Sequence, residues 1–276
     1  MHENLSLSFL TVLMPVLVTY FLTPYYIRLQ KSKNAVAVNY QGIKIVTGGG
    51  LILLAAFSAV QFFYFFYPQG EQIPGVFMLL YLSGITFLGM FDDLKGEKGC
   101  KGFRGHLRKF WQGEGISTGL YKAAGGLVLG VIISALTGGG SWTEWLLKGI
   151  FLALFSNLFN LLDTRPARAA KFFFFFSLVF ILVYKERFLP LISLWSALYI
   201  YLFWELEQKI MLGDAGAYLL GGALGLYLVI MSPLAVLLPL TALLVVLHYF
   251  GERFSFSSIL ENKKLLFNWE FPGRRN

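Results

Sequence analysis

The feature that most restricts this chain is a succession of nine apolar runs. Each is roughly 17–25 residues long, the length a helix needs to cross a bilayer core. They cover 5–29, 46–67, 74–91, 119–137, 143–162, 169–185, 188–204, 214–231 and 233–250. Pro68, Pro74, Gly138–Gly140, Pro190 and Pro233 punctuate them. Only 14% of residues are charged, against roughly 25% in a soluble domain. The expected fold is all-α, a polytopic membrane helical bundle of nine or ten transmembrane helices. One transmembrane domain, 1–250, is expected to end in a tail, 251–276. That tail alternates Phe and Leu with Lys, Arg and Glu, which suits a membrane surface. The first run, Leu5–Leu29, is too long for a signal-peptide core and has no small-residue cleavage pattern, so it is expected to be retained.

Charge sets the expected orientation. With the N-terminus outside, the inner segments are 28–45, 92–122, 163–171, 205–213 and 251–276, and they hold 20 of the 23 Lys and Arg. Positive charge collects on the cytoplasmic side of membrane proteins, so the C-terminus is placed in the cytoplasm. The net charge of +8 then reflects inner loops meeting anionic lipid, and nucleic acid is not an expected partner. The single cysteine, Cys100, excludes an intrachain disulfide framework and a multi-cysteine metal site. Gly126-x-x-x-Gly130 and Gly221-x-x-x-Gly225 suit close helix packing, and the Phe172–Phe176 run suits lipid or bulky packing.

Aspartate occurs four times, at Asp92, Asp93, Asp163 and Asp214, each at one end of an apolar run. The orientation chosen from Lys and Arg sends all four inward. Carboxylates are expensive near lipid, so four gathered at one face read as functional, able to hold a divalent cation and a phosphorylated substrate. Asp92 and Asp93 are about 100° apart on a helix and so cannot point the same way. Both also oppose the dipole of the helix end they occupy. A basic, glycine-spaced loop follows them, with Lys95, Lys98, Lys101, Arg104, Arg108 and Lys109. Lys122 opens the next apolar run.

Asn157, Asn160 and Asp163 recur every third residue and share one helix face. A hydrogen-bond ladder between helices accounts for the two amides as well as a binding site does. Asp214, in Gly213-Asp214-Ala215-Gly216, fits two roles. It can be a helix N-cap, or it can stand where phosphate or metal approaches a helix start. Arg165 follows Asp163 closely enough to pair with it or with a diphosphate. His248 ends the last run on the inner side.

Asp92-Asp93, Asn157-x-x-Asn160-x-x-Asp163 and Met211-Leu-Gly-Asp214-Ala-Gly, in that order, resemble the polyprenyl-phosphate N-acetylhexosamine-1-phosphate transferases. Gly42-x-x-Ile45-x-x-Gly48-Gly49 is similar to that superfamily's Gly-rich element. The resemblance runs from about Gly42 to Gly225. It implies transfer of a sugar-1-phosphate from a UDP-amino sugar to a polyprenyl phosphate, undecaprenyl phosphate in bacteria, with release of UMP. It also implies a multi-pass protein of the bacterial inner membrane that starts a cell-envelope glycan. Mg²⁺, with Mn²⁺ as a substitute, is the implied cofactor, and a homodimer fits the family. Carried over by position, Asp214 is the metal ligand. Asp92 and Asp163 join Asp93 as catalytic residues, with Asp93 also in the metal shell. Asn157, Asn160, Lys122, Arg165 and His248 are the substrate-binding residues.

The chain also departs from the family pattern. Pro166 stands where a second Asp usually follows Asp163, and Val46 replaces the Pro of the Gly-rich element. Trp204 and Glu205 fill a zone that often carries Asn, and the His-rich last loop is reduced to His248. These changes motivate an alternative, a noncatalytic relative that binds polyprenyl phosphate or nucleotide sugar. A transporter is disfavoured, because the middles of the runs carry no charge.

Overall fold

The computed structural model describes residues 2–66, 73–96, 102–113, 115–137, 139–184 and 189–253. Cys100, Lys98 and Lys101 lie outside them, as does the tail beyond residue 253. The helices are α1 (His2–Ser32), α2 (Gly50–Phe66), α3 (Ile73–Lys95), α4 (Gly102–Trp111), α5 (Thr118–Thr137), α6 (Trp142–Leu162), α7 (Arg168–Tyr184), α8 (Leu189–Leu206), α9 (Gly213–Met231) and α10 (Leu234–Arg253). Two short strands, β1 (Val36–Val38) and β2 (Lys44–Val46), separate α1 from α2.

Each of the nine apolar runs is a helix at its expected place. Six described helices are long and apolar enough to cross a membrane, and Gly50–Phe66 and Leu191–Leu206 are shorter apolar helices. The count of nine spans is therefore not reproduced by length and hydropathy alone. The helical bundle is as expected, with one addition and one correction. The addition is a short hairpin, in which Val36–Val38 pairs antiparallel with Lys44–Val46. The basic stretch after Asp93 is not all loop, because Gly102–Trp111 is helical. Its basic and apolar residues alternate on a short helical period that escapes a search for long apolar runs.

At the centre stands α9, buried from Ala215 to Val229. Its small residues make this possible. Gly221 and Gly225 face Phe155, Ser156 and Leu152 of α6, and across α6 Gly130 of α5 touches Gly149. Both glycine stripes thus serve helix packing, with α6 between α5 and α9. The outward faces carry Phe21, Leu80, Phe87, Leu182 and Leu238, as a lipid-facing surface requires. Buried hydroxyls bond back into their own helices: Ser134 donates to the Gly130 carbonyl and Thr241 to the Leu237 carbonyl, each at 2.7 Å. The phenylalanine run is split by helical period. Phe173 is fully buried, whereas Phe175 faces outward.

The Gly-rich element brings the start of α2 against the start of α9. Met211 donates its N–H to the Val46 carbonyl at 2.9 Å, and Gly49 donates to Met211 at 3.2 Å. Val46 also bridges Ile210 in parallel. A Cβ on Gly50 would run into the backbone of Ala215 and Gly216. Gly50→Val is accordingly expected to destabilise by about 1–3 kcal/mol. A drop of several degrees in the unfolding temperature of the purified protein would register it, and an unchanged temperature would refute this contact.

Candidate active site

Four helix ends converge. The last turn of α3 carries Asp92 and Asp93, and the last two turns of α6 carry Asn157 and Asn160, with Asp163 just beyond. Lys122 stands just past the first turn of α5, and Asp214 in the first turn of α9. The α5 start is fixed by buried Ser117, whose hydroxyl accepts the Leu120 N–H at 3.4 Å. That start points Lys122 inward.

Lys122 is 6% exposed. A buried ammonium is tolerated only when paired, and here it is paired twice. Its Nζ donates to Asp92 Oδ2 at 2.7 Å and also to Asp214 Oδ2. Asn160 completes the cage. With its amide oriented to suit its neighbours, it donates to Asp214 Oδ1 at 2.7 Å and accepts from Lys122 Nζ at 3.3 Å. The ammonium also lies 4.9 Å from the centre of the Tyr218 ring, a cation–π contact. Tyr218 in turn donates its hydroxyl to Asn157 Oδ1 at 2.9 Å. The two amides therefore form a ladder to α9 and belong to the acidic site at once.

Asp93 faces elsewhere. Its Oδ1 accepts the Asp214 N–H at 3.0 Å and its Oδ2 the Ala215 N–H at 3.1 Å. The N-cap position of α9 is Leu212, which makes no side-chain capping bond. Asp214 is therefore not the cap of its own helix, one of the two roles its sequence allowed. Gly213 has φ +71°, and a Cβ there would sit 2.6 Å from Asp93 Oδ2 and from Thr47 Oγ1. Glycine is needed at that position both for backbone conformation and for room.

Asp163 accepts the Gly213 N–H and lies beside the buried carboxyl of Glu205, which is bonded to the backbone at Ala167 and Leu212. Burial pushes the Asp163 carboxyl well above the usual carboxylate range, and repulsion from Glu205, Asp214 and Asp93 adds to the shift. An acid whose folded pKa is raised loses stabilisation as pH rises through that value. Asp163→Asn removes this penalty while keeping an acceptor for Gly213. It is expected to raise the unfolding temperature at pH 8 by about 2–4 °C, the equivalent of ~1 kcal/mol, and by less at pH 5. An equal shift at both pH values would contradict the repulsion.

A cavity of about 880 Å³ opens beside the cage. Its polar end is formed by Asp92, Lys122, Asn157, Asn160, Asp214 and Tyr218, with His248 also on the wall. The remainder is mostly apolar, with Ile85, Ala123, Ala153, Leu154 and Val245. The His248 Nδ1 is 2.8 Å from the Leu244 carbonyl. Arg165 lies over the Tyr40 ring of the hairpin at 4.3 Å, and neither it nor Asp163 is among the residues lining the cavity. Tyr218 escaped the sequence reading. Its signal is the spacing of four from Asp214, which places both on one face of α9.

Among the described residues no three His, Cys, Asp or Glu side chains converge as a metal cage. Two carboxylates and an amide oxygen do surround one cation, the Lys122 ammonium. That donor set fits Mg²⁺, which is usually held by one or two carboxylates together with substrate phosphates.

Ends of four apolar helices, gathered around a carboxylate–lysine–amide cage that opens into an amphiphilic cavity, suit the handling of a phosphorylated lipid. No curated protein matches the chain. The profile described as glycosyl transferase family 4 matches residues 75–232, more than half of the chain, and includes every cage residue. The protein belongs to glycosyl transferase family 4, the family of the polyprenyl-phosphate hexosamine-1-phosphate transferases.

Proposed function

We propose that this protein transfers an amino-sugar-1-phosphate from a UDP-sugar to a polyprenyl phosphate at the cytoplasmic face of a bacterial inner membrane. The observation that carries the proposal is the cavity. A charged, phosphate-competent end continues into an apolar wall, which matches a lipid phosphate and not a purely polar ligand. Family membership supports the same class of acceptor.

In the reaction, an oxygen of the lipid phosphate forms a bond to the sugar-bearing phosphorus of the donor. The bond from that phosphorus to the bridging oxygen breaks, and the oxygen leaves with UMP. The lipid and the sugar end joined through a diphosphate, with charge conserved. Such a step needs positioning and charge neutralisation more than covalent participation by the protein. Asp92 orients the lipid phosphate. Lys122 turns from its carboxylates toward the diphosphate. Asn157, Asn160 and Tyr218 fix the wall against which the donor lies, and His248 borders the acceptor side. Asp214, with Asp92, would hold the divalent cation. When bound, Mg²⁺ or Mn²⁺ would neutralise charge on the transferring phosphoryl group.

The reading is tested by incubating purified protein, in lipid, with polyprenyl phosphate and a panel of UDP-amino sugars. Formation of a lipid-linked sugar from at least one donor is expected. Binding of polyprenyl phosphate without product from any donor would instead favour a noncatalytic role, as Pro166 suggests. The reading includes a homodimer, to be checked by mass measurement in lipid nanodiscs.

A further inference from the structure

We infer that Asp93 is a positioning residue: from α3 it caps the N-terminus of α9 and so sets where Asp214 stands relative to Asp92. The inference rests on the transferase reading for its activity and Mn²⁺ arms, and its hydrogen-exchange arm stands apart from that reading.

An aspartate in the last turn of a helix is opposed by that helix's dipole. Asp93 escapes the penalty by meeting the opposite pole of another helix. Its two oxygens accept the first free N–H groups of α9, one each, at 3.0 and 3.1 Å. These donors have no partner within their own helix, and Leu212 supplies none. The cap is therefore provided across the fold, and by the residue adjacent to Asp92. The backbone of Asp92-Asp93 holds the two carboxylates on different bearings. One points to Lys122, and the other grips the amide of Asp214 itself.

The surroundings leave little slack. A Cβ on Gly89, one turn before Asp93, would lie 2.5 Å from the Asp214 carbonyl oxygen and 2.7 Å from the Ala215 Cα. Gly213 admits the Asp93 carboxylate only because it has no side chain. With α3 and α9 in contact at Gly89 and pinned at Asp93, the Asp92 and Asp214 carboxylates are held on either side of Lys122. An acid that served as a metal ligand would turn an oxygen into the cage. Asp93 spends both on backbone amides of α9.

The test uses the full chain in lipid and three variants, Asp93→Asn, Asp93→Ala and Asp214→Asn. Mn²⁺ binding is read by electron paramagnetic resonance, together with kcat, donor KM and hydrogen exchange over residues 210–218. Asp93→Asn keeps an amide oxygen for one N–H. It is expected to bind Mn²⁺ within about threefold of the wild type, while Asp214→Asn loses the ion. Asp93→Ala is expected to lower kcat about 100-fold, the scale of a displacement near 1 Å. Donor KM should stay nearly constant, and Asp93→Asn should recover much of the loss. Exchange over 210–218 should quicken in Asp93→Ala even if no donor is turned over, so the cap is tested apart from the activity. Loss of Mn²⁺ in Asp93→Asn to the extent seen in Asp214→Asn would make Asp93 a ligand and overturn the inference. So would unchanged exchange in Asp93→Ala, or in Asp93→Asn should the alanine variant not fold. A lower unfolding temperature with wild-type kcat would also overturn it, because the cap would then serve only the fold.

Discussion

Asp214→Asn is expected to lower sugar-phosphate transfer by about 10³-fold with little change in the amount of folded protein. Its carboxylate makes two contacts that an amide cannot both reproduce. Oδ2 accepts from the Lys122 ammonium, and Oδ1 accepts from Asn160. Asparagine offers one acceptor and two donors. One of its ends would therefore face a donor, and the cage would lose a unit of negative charge. Folding is expected to survive, because Lys122 keeps Asp92 and because the α9 cap is made by the Asp214 backbone and not by its side chain. The loss falls on charge placement around a transferring phosphoryl group, where removing one well-placed group costs about 10²–10³ in rate. Rates from purified variant and wild type, compared at equal folded protein, check this expectation. A loss below tenfold would contradict it.

Lys122→Met is expected to lower transfer by at least about 100-fold, and Lys122→Arg is not expected to restore it. The ammonium lies between two carboxylates, an amide oxygen and the Tyr218 face, and only 6% of the residue is exposed. A guanidinium is planar and larger, with donors in a rigid fork. It cannot occupy that cage without parting α3 from α9. Methionine fits in length but leaves Asp92 and Asp214 facing each other without the ammonium between them. That loss should also show in stability, since breaking a buried pair by removing one partner costs about 3–5 kcal/mol. The expected outcome is therefore a less stable protein with little turnover. Lys122→Arg at wild-type activity would show that positive charge alone suffices and that the cage has no shape requirement.

Much of this is legible in the sequence, and for physical reasons. A run of roughly 20 apolar residues has few fates other than a helix, so each expected run is a helix within a few residues of its expected ends. The gathering of Asp92, Asp93, Asp163 and Asp214 was expected from positive charge in the loops, without use of the acids themselves. Short elements were not legible. The Val36–Val38 and Lys44–Val46 strands are three residues each, and Val46 also bridges Ile210, which is distant in sequence. Side-chain direction was not legible either. The sequence offered Asp214 as a possible cap of its own helix, and only the packing of α3 against α9 shows Asp93 in that place. Arg165 has the right spacing from Asp163 to meet a diphosphate, but its guanidinium lies on Tyr40. Glu205 drew notice only as a departure from a family pattern. Its burial beside Asp163 and its bonds to two loops are tertiary facts.

If the cage handles the phosphates of a nucleotide sugar and of a lipid, purified protein supplied with polyprenyl phosphate and Mg²⁺ exchanges radiolabelled UMP into a UDP-amino sugar. Exchange is expected with at least one UDP-amino sugar, dependent on the lipid phosphate and on the divalent cation, and abolished in Asp214→Asn. Exchange by Asp214→Asn at the wild-type rate, or none by the wild type with any UDP-sugar, would contradict it.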